Sequence, residues 1–108
     1  MTDPLTKKKH LLLREQVRSF AESEIKPLAA ELDEKTEFST AITNKMFDMG
    51  LLRINLPEAY GGMGMDTLSY IIAVEELARV DGSQAATMAA HNSLGIAPIF
   101  KYGTEEQR

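Results

Sequence analysis

Asp66 to Leu94 reads DTLSYIIAVEELARVDGSQAATMAAHNSL. Asp66 is the residue type of a helix N-cap, and Leu68, Ile71, Ile72, Leu77 and Val80 follow at helical spacing in one broad stripe. The pattern predicts a helix from Asp66 to about Val80. Glu75 and Arg79 fall four apart on its solvent side, a pair worth only a few tenths of a kcal/mol. Asp81 or Ser83 then starts another helix, predicted over Gln84 to about Leu94. Its middle, AATMAA, is small or apolar on nearly every face, which predicts a helix enclosed by protein. Two helices joined by so short a corner point to packed helices rather than layers of strands.

Working upstream, Asp3-Pro4 can serve as N-cap and first helical position. Leu13, Val17, Phe20, Ala21, Leu28 and Leu32 then recur at helical spacing, with Arg14, Glu15, Arg18, Glu22, Lys26 and Glu31 on the other face. Pro27 cannot donate to the carbonyl of Ser23, so a kink or restart is expected there. A second helix should start at Ser39 or Thr40, present Ile42, Met46 and Met49, and stop at Gly50. Only Leu51 to Leu56, LLRINL, could be extended.

Downstream, Pro98 falls in the first turn of a short fifth helix, and Gly103 is expected to end it in the left-handed conformation. Thr104-Glu105-Glu106-Gln107 then has the form of a capping box. A helix is announced there, and the expectation is that the chain has been cut at its start. The fold class read from the sequence is all-α, an up-and-down or orthogonal bundle of about five helices within one domain, 1–108.

Composition narrows the function classes. The chain has 108 residues, no cysteine and a net charge of −4. Disulfides and thiolate chemistry are therefore excluded. An acidic chain offers no basic face for nucleic acid, and the one basic run, Lys7-Lys8-Lys9-His10, reads as solvated. No apolar run reaches the ~18 residues of a membrane span, and MTDPLTKKK has no apolar leader. The expected location is inside the cell: cytoplasm in a bacterium, mitochondrial matrix in a eukaryote.

Few residues suggest chemistry. In Leu56 to Asp66, LPEAYGGMGMD, the glycines invite comparison with a dinucleotide loop, but Thr67 stands where the pattern needs Gly or Ala. A turn-rich crossing between helices is the better reading. A di-iron bundle needs Glu-x-x-His pairs, and neither His10 nor His91 has a glutamate three residues before it. His91 can be a satisfied histidine near the core. It can also be functional, because Thr87, Ala90, His91 and Leu94 share one small, mixed-polarity face. No nucleophile is placed beside a base, so no catalytic set and no metal site is expected.

Four stretches together carry a resemblance. They are FAESEIKPLAAELDEKTEFS (Phe20 to Ser39), MGLLRINLPEAYGGMGMD (Met49 to Asp66), EELARVDGS (Glu75 to Ser83) and AAHNSLGIAPIFKYGTEEQR (Ala89 to Arg108). In order and spacing they resemble the N-terminal helical domain of acyl-CoA dehydrogenases, closest in look to the short-chain, butyryl-type members. The resemblance runs from about Leu5 to Arg108. It implies a parent enzyme with a middle β-barrel domain and a C-terminal helical domain, both absent here, and a homotetramer. It implies FAD as cofactor, held outside this chain, an acyl-CoA substrate dehydrogenated at its α,β bond, and electron-transfer flavoprotein as partner. The catalytic glutamate of that family has no counterpart here. By the resemblance, the helix of Ser83 to Leu94 closes the far end of the acyl pocket, which assigns Thr87, Ala90, His91 and Leu94 to its wall. The alternative is a free-standing helical interaction module without catalysis.

Overall fold

The computed structural model describes residues 7–108. The helix start expected at Asp3-Pro4 lies outside them. The described residues form six α-helices: α1 (Lys8–Phe20), α2 (Lys26–Lys35), α3 (Thr40–Asp48), α4 (Thr67–Ala78), α5 (Gly82–Ala90) and α6 (Ala97–Tyr102). Among the described residues there is no strand, and the segment Leu51–Arg53 that could have been extended is a turn of 3₁₀ helix.

The six helices make four rods. A π-helical turn, Ala21–Ile25, joins α1 to α2, and a second, His91–Ile96, joins α5 to α6. Each widened turn has a proline two positions beyond its end, Pro27 and Pro98. Proline has no N–H to return to the preceding turn. The residue just before each proline donates five residues back instead: Lys26 to the Ala21 carbonyl and Ala97 to the Asn92 carbonyl. The expected break at Pro27 is thus a widening without a gap, and the expected separate fifth helix continues from the fourth.

The caps decide where the other rods begin. Ser39 accepts from the Ile42 N–H at 3.1 Å, and Asp66 accepts from the Ser69 N–H at 2.8 Å. Asp81 accepts from the Ser83 N–H at 2.9 Å. Gly50 ends the α3 region with φ +82°, as its position predicts. Gly103 is a correction. Its φ is −79°, so the left-handed conformation is not what it supplies. A Cβ there would lie 2.4 Å from the Ile99 carbonyl oxygen, so glycine permits a close approach instead. The capping box after it does form: the Gln107 Oε1 accepts from the Thr104 N–H at 2.9 Å, and the Gln107 N–H donates to Thr104 Oγ1 at 3.2 Å.

The core gathers Leu13, Val17, Phe20, Ala21 and Ile25 of the first rod against Met46, Leu51, Ile54, Leu77 and Met88. Widening the turn rotates the downstream residues around the rod. Ile25 is fully buried, whereas Leu28, expected in the stripe, is 40% exposed. The segment 51–66 crosses between α3 and α4 by bonding to itself: Met63 N–H donates to the Arg53 carbonyl, Gly64 N–H to Leu56 and Met65 N–H to Ile54.

Two polar links hold α4 to α1. Glu76 is completely buried. It accepts from Arg14, from Arg18 at 2.8 Å and from Arg79 at 3.2 Å. The Glu75–Arg79 pair expected on the solvent side is therefore not made: Arg79 turns to Glu76, and Glu75 takes Arg14 at 3.1 Å. The second link is His10. The solvated reading of the basic run does not hold for this residue, which is 2% exposed and meets Asp66 at 2.9 Å.

Candidate functional site

The α5 rod has one buried side and one open side. Gln84, Ala85 and Met88 on α5, and Asn92 in the widened turn, are buried. Asn92 fixes the rod by donating to the carbonyls of Leu51 and Met88, each at 2.9 Å. Tyr70 on α4 adds a bond to the Ala89 carbonyl at 3.0 Å. The opposite side carries the four residues picked out by spacing. Thr87 is half-buried, Ala90 and His91 are exposed, and Leu94 is 77% exposed.

Of the four, Thr87 is thus partly covered, while Ala90, His91 and Leu94 stand open along the rod. His91 is not a core histidine. The enclosed helix expected from AATMAA is a correction, since half its circumference is uncovered in this chain. Thr87 directs its hydroxyl to the Ser83 carbonyl at 3.0 Å, and Ser93 does the same to Ala89 at 2.7 Å. Those hydroxyls are satisfied by their own helix, which leaves the wall mostly apolar toward an approaching chain. The apolar surface continues along α6 with Ile99, 51% exposed, and Tyr102, 86% exposed.

The glycine-rich crossing cannot cradle a phosphate. Such a site needs free backbone N–H groups. Here the N–H groups of Gly61, Gly62, Met63 and Gly64 are spent on the carbonyls of Glu58, Pro57, Arg53 and Leu56. Among the described residues no group of three His, Asp or Glu side chains is arranged to hold a metal ion. No helix is long and apolar enough to cross a membrane, again among the described residues.

Sequence reasoning passed over the two polar centres that do stand out. Asp66 is held well below the usual carboxylate range by the backbone N–H and hydroxyl of Ser69, with help from His10. For Glu76, burial opposes the charged form, but hydrogen bonds from Arg18 and Arg14 outweigh it and hold the carboxyl below its ordinary value. Glu76 was hidden because its partners, Arg14 and Arg18, lie some sixty positions away in sequence. The same is true of His10 and Asp66. Both pairs join helices and neither faces the open wall, so they are structural.

Comparison with known proteins places this geometry. The sequence profile described as "Acyl-CoA dehydrogenase, N-terminal domain" matches residues 7–108. This chain belongs to the acyl-CoA dehydrogenase N-terminal domain family. It is 48% identical over 97 residues to the short-chain specific acyl-CoA dehydrogenase of Clostridium acetobutylicum, covering 90% of this chain and 26% of that protein. Among solved structures it superposes on butyryl-CoA dehydrogenase from Megasphaera elsdenii with a TM-score of 0.88 and 33% identity, covering 98% of this chain and 28% of that one. A chain from a structure of the electron transferring flavoprotein of Acidaminococcus fermentans gives a TM-score of 0.93 at 39% identity, with coverages of 98% and 28%.

The acyl-CoA dehydrogenase N-terminal domain thus spans about a quarter of the length of these relatives. Its helical fold is the one the sequence pattern called for, including the corner between α4 and α5.

Proposed function

We propose that this chain acts as the N-terminal domain of an FAD-dependent acyl-CoA dehydrogenase with a short-chain preference. The observation that carries the reading is the family match over residues 7–108, together with the likeness over at least 90% of this chain to proteins named as short-chain specific and butyryl-CoA dehydrogenases. The domain supplies substrate-pocket wall and interdomain contact. Ala90 leaves room at the wall, Leu94 offers hydrocarbon surface and Thr87 keeps its hydroxyl on its own helix. His91 stands beside them as the polar edge.

The residues present do not fit FAD by themselves. The backbone N–H groups of the glycine-rich crossing that could take a pyrophosphate are already bonded within the crossing. Cofactor and catalytic base are therefore assigned to domains beyond this chain, with electron-transfer flavoprotein as electron acceptor and a homotetramer as the working form. The working compartment is the cytoplasm of a bacterial cell or the mitochondrial matrix of a eukaryotic one.

The test uses the protein encoded by the whole reading frame that contains this sequence. Purified with flavin and mixed anaerobically with butyryl-CoA, it should lose its oxidised-flavin absorbance, and palmitoyl-CoA should act more slowly. A flavin-free product, or one that no acyl-CoA reduces, would overturn the assignment. Tight stoichiometric binding of FAD by the 108-residue chain would overturn the division of labour.

A further inference from the structure

The rod of residues 82–102 rests on the core by apolar contact, through Ala85 and Met88. Apolar contact has no preferred direction, whereas a hydrogen bond does. Among the described residues two hydrogen bonds join this rod to other elements. The Tyr70 hydroxyl, on α4, donates to the Ala89 carbonyl at 3.0 Å. The Asn92 amide, in the widened turn, donates to the Leu51 carbonyl at 2.9 Å.

Both bonds fall within four positions, 89–92, in the middle of the segment that carries Thr87, Ala90, His91 and Leu94. Ala89 precedes Ala90 and Asn92 follows His91, so each bond acts beside a wall residue. One comes from α4 and the other from the turn after α3, and two fixed points settle both the register and the rotation of a rod. Asn92 adds little as packing. Its Oδ1 is buried and accepts no bond from a described residue. A leucine would fill a similar volume without an orphan acceptor, so what the amide contributes is donation. Its other bond stays within the rod, to the Met88 carbonyl at 2.9 Å. At Ala89 the Ser93 hydroxyl also donates, at 2.7 Å, but from the same rod, so Tyr70 is the donor that fixes position across elements.

We propose that Tyr70 and Asn92 are positioning residues for the acyl-pocket wall, and that they set the length of acyl chain accepted. The proposal rests on the reading of Ala90 and its neighbours as that wall. The two side chains act from behind it, through the backbone of 89–92. With both bonds in place the wall keeps its depth. With either one lost it yields to a longer chain, and discrimination between chain lengths falls.

The test uses the flavin-loaded enzyme encoded by the whole reading frame, assayed with butyryl-, hexanoyl- and octanoyl-CoA. Tyr70→Phe removes one hydroxyl and keeps the ring. Asn92→Ser keeps a donor for the carbonyl four residues back and loses the bond to Leu51. Each variant should raise kcat/KM for octanoyl-CoA relative to butyryl-CoA about fivefold, the worth of one neutral hydrogen bond. The change should lie in KM, with kcat for butyryl-CoA within about twofold of native. Ile25→Val, a core trim in the first rod, should lower Tm comparably and leave the ratio alone. An unchanged ratio in Tyr70→Phe, a shift in one of the two variants without the other, or an equal rise in Ile25→Val would overturn the proposal. If Asn92→Ser does not load flavin, Tyr70→Phe decides alone. A native enzyme that no acyl-CoA reduces would overturn the functional reading, and the proposal with it.

Discussion

His10 Nε2 lies 2.9 Å from Asp66 Oδ2, so the first turn of α1 is tied directly to the cap of α4. The Lys7 N–H donates to His10 Nδ1 at 2.9 Å. Nδ1 is therefore the acceptor, and Nε2 carries the proton that goes to Asp66. In ¹⁵N spectra at neutral pH the His10 ring should show the Nε2–H tautomer. A dominant Nδ1–H signal would contradict this arrangement.

Asp66 makes the same link sensitive to acid. Its folded carboxyl is held below the unfolded value of about 3.9. The stabilisation is complete above that value and is lost as pH falls through it towards the folded one. Asp66→Asn keeps a capping oxygen but removes the charge. The stability difference between the native chain and Asp66→Asn should be largest near neutral pH and shrink below about pH 4 in urea unfolding series. A difference that stays constant with pH would rule out the charge as its source.

Glu76 sits fully buried between three arginines. Glu76→Gln should cost about 3 kcal/mol in urea unfolding, since one neutral amide cannot serve three guanidinium groups. Glu75→Gln, on the exposed neighbour, should cost under about 0.5 kcal/mol. Similar costs for the two would show that the buried cluster does not hold α1 to α4.

Adjacent glycines offer a cleaner contrast. Gly61 has φ +84° with open space where a Cβ would sit, so Gly61→Ala meets only backbone strain, about 1 kcal/mol. Gly62 has ordinary φ, but a Cβ there would lie 2.0 Å from the Leu56 carbonyl oxygen. Gly62→Ala should cost more, about 3 kcal/mol, because backbone must move. Thermal unfolding of the two variants side by side decides it, and the reverse order would overturn the crossing's geometry.

In the complete enzyme, Ala90→Phe should shift preference towards shorter acyl-CoAs, read as kcat/KM across butyryl-, hexanoyl- and octanoyl-CoA. About a tenfold relative loss at the longest chain is expected. An unchanged profile would remove Ala90 from the acyl pocket.

What the sequence made legible was local. Ser39, Asp66 and Asp81 announced the helices they cap, and Gly50 announced a stop, because each acts on atoms within a few residues. Spacing also placed Thr87, Ala90, His91 and Leu94 on one side. Spacing could not show that Arg14 and Arg18 reach Glu76, or that His10 reaches Asp66, since helical period carries no information about distant partners. A single fixed period also assigns Leu28, which is 40% exposed, to the core, because the widened turn changes the period partway along the rod.

The paired widened turns act as azimuth settings. Each takes up extra chain within one turn of an otherwise continuous rod, and so decides which compass direction the downstream residues face. Removing one residue from His91–Ile96 would swing Ile99 and Tyr102 by about 100° around the rod while leaving α5 where it stands. The direction in which α6 meets its neighbours is thus adjustable by a single deletion, independently of the placement of α5.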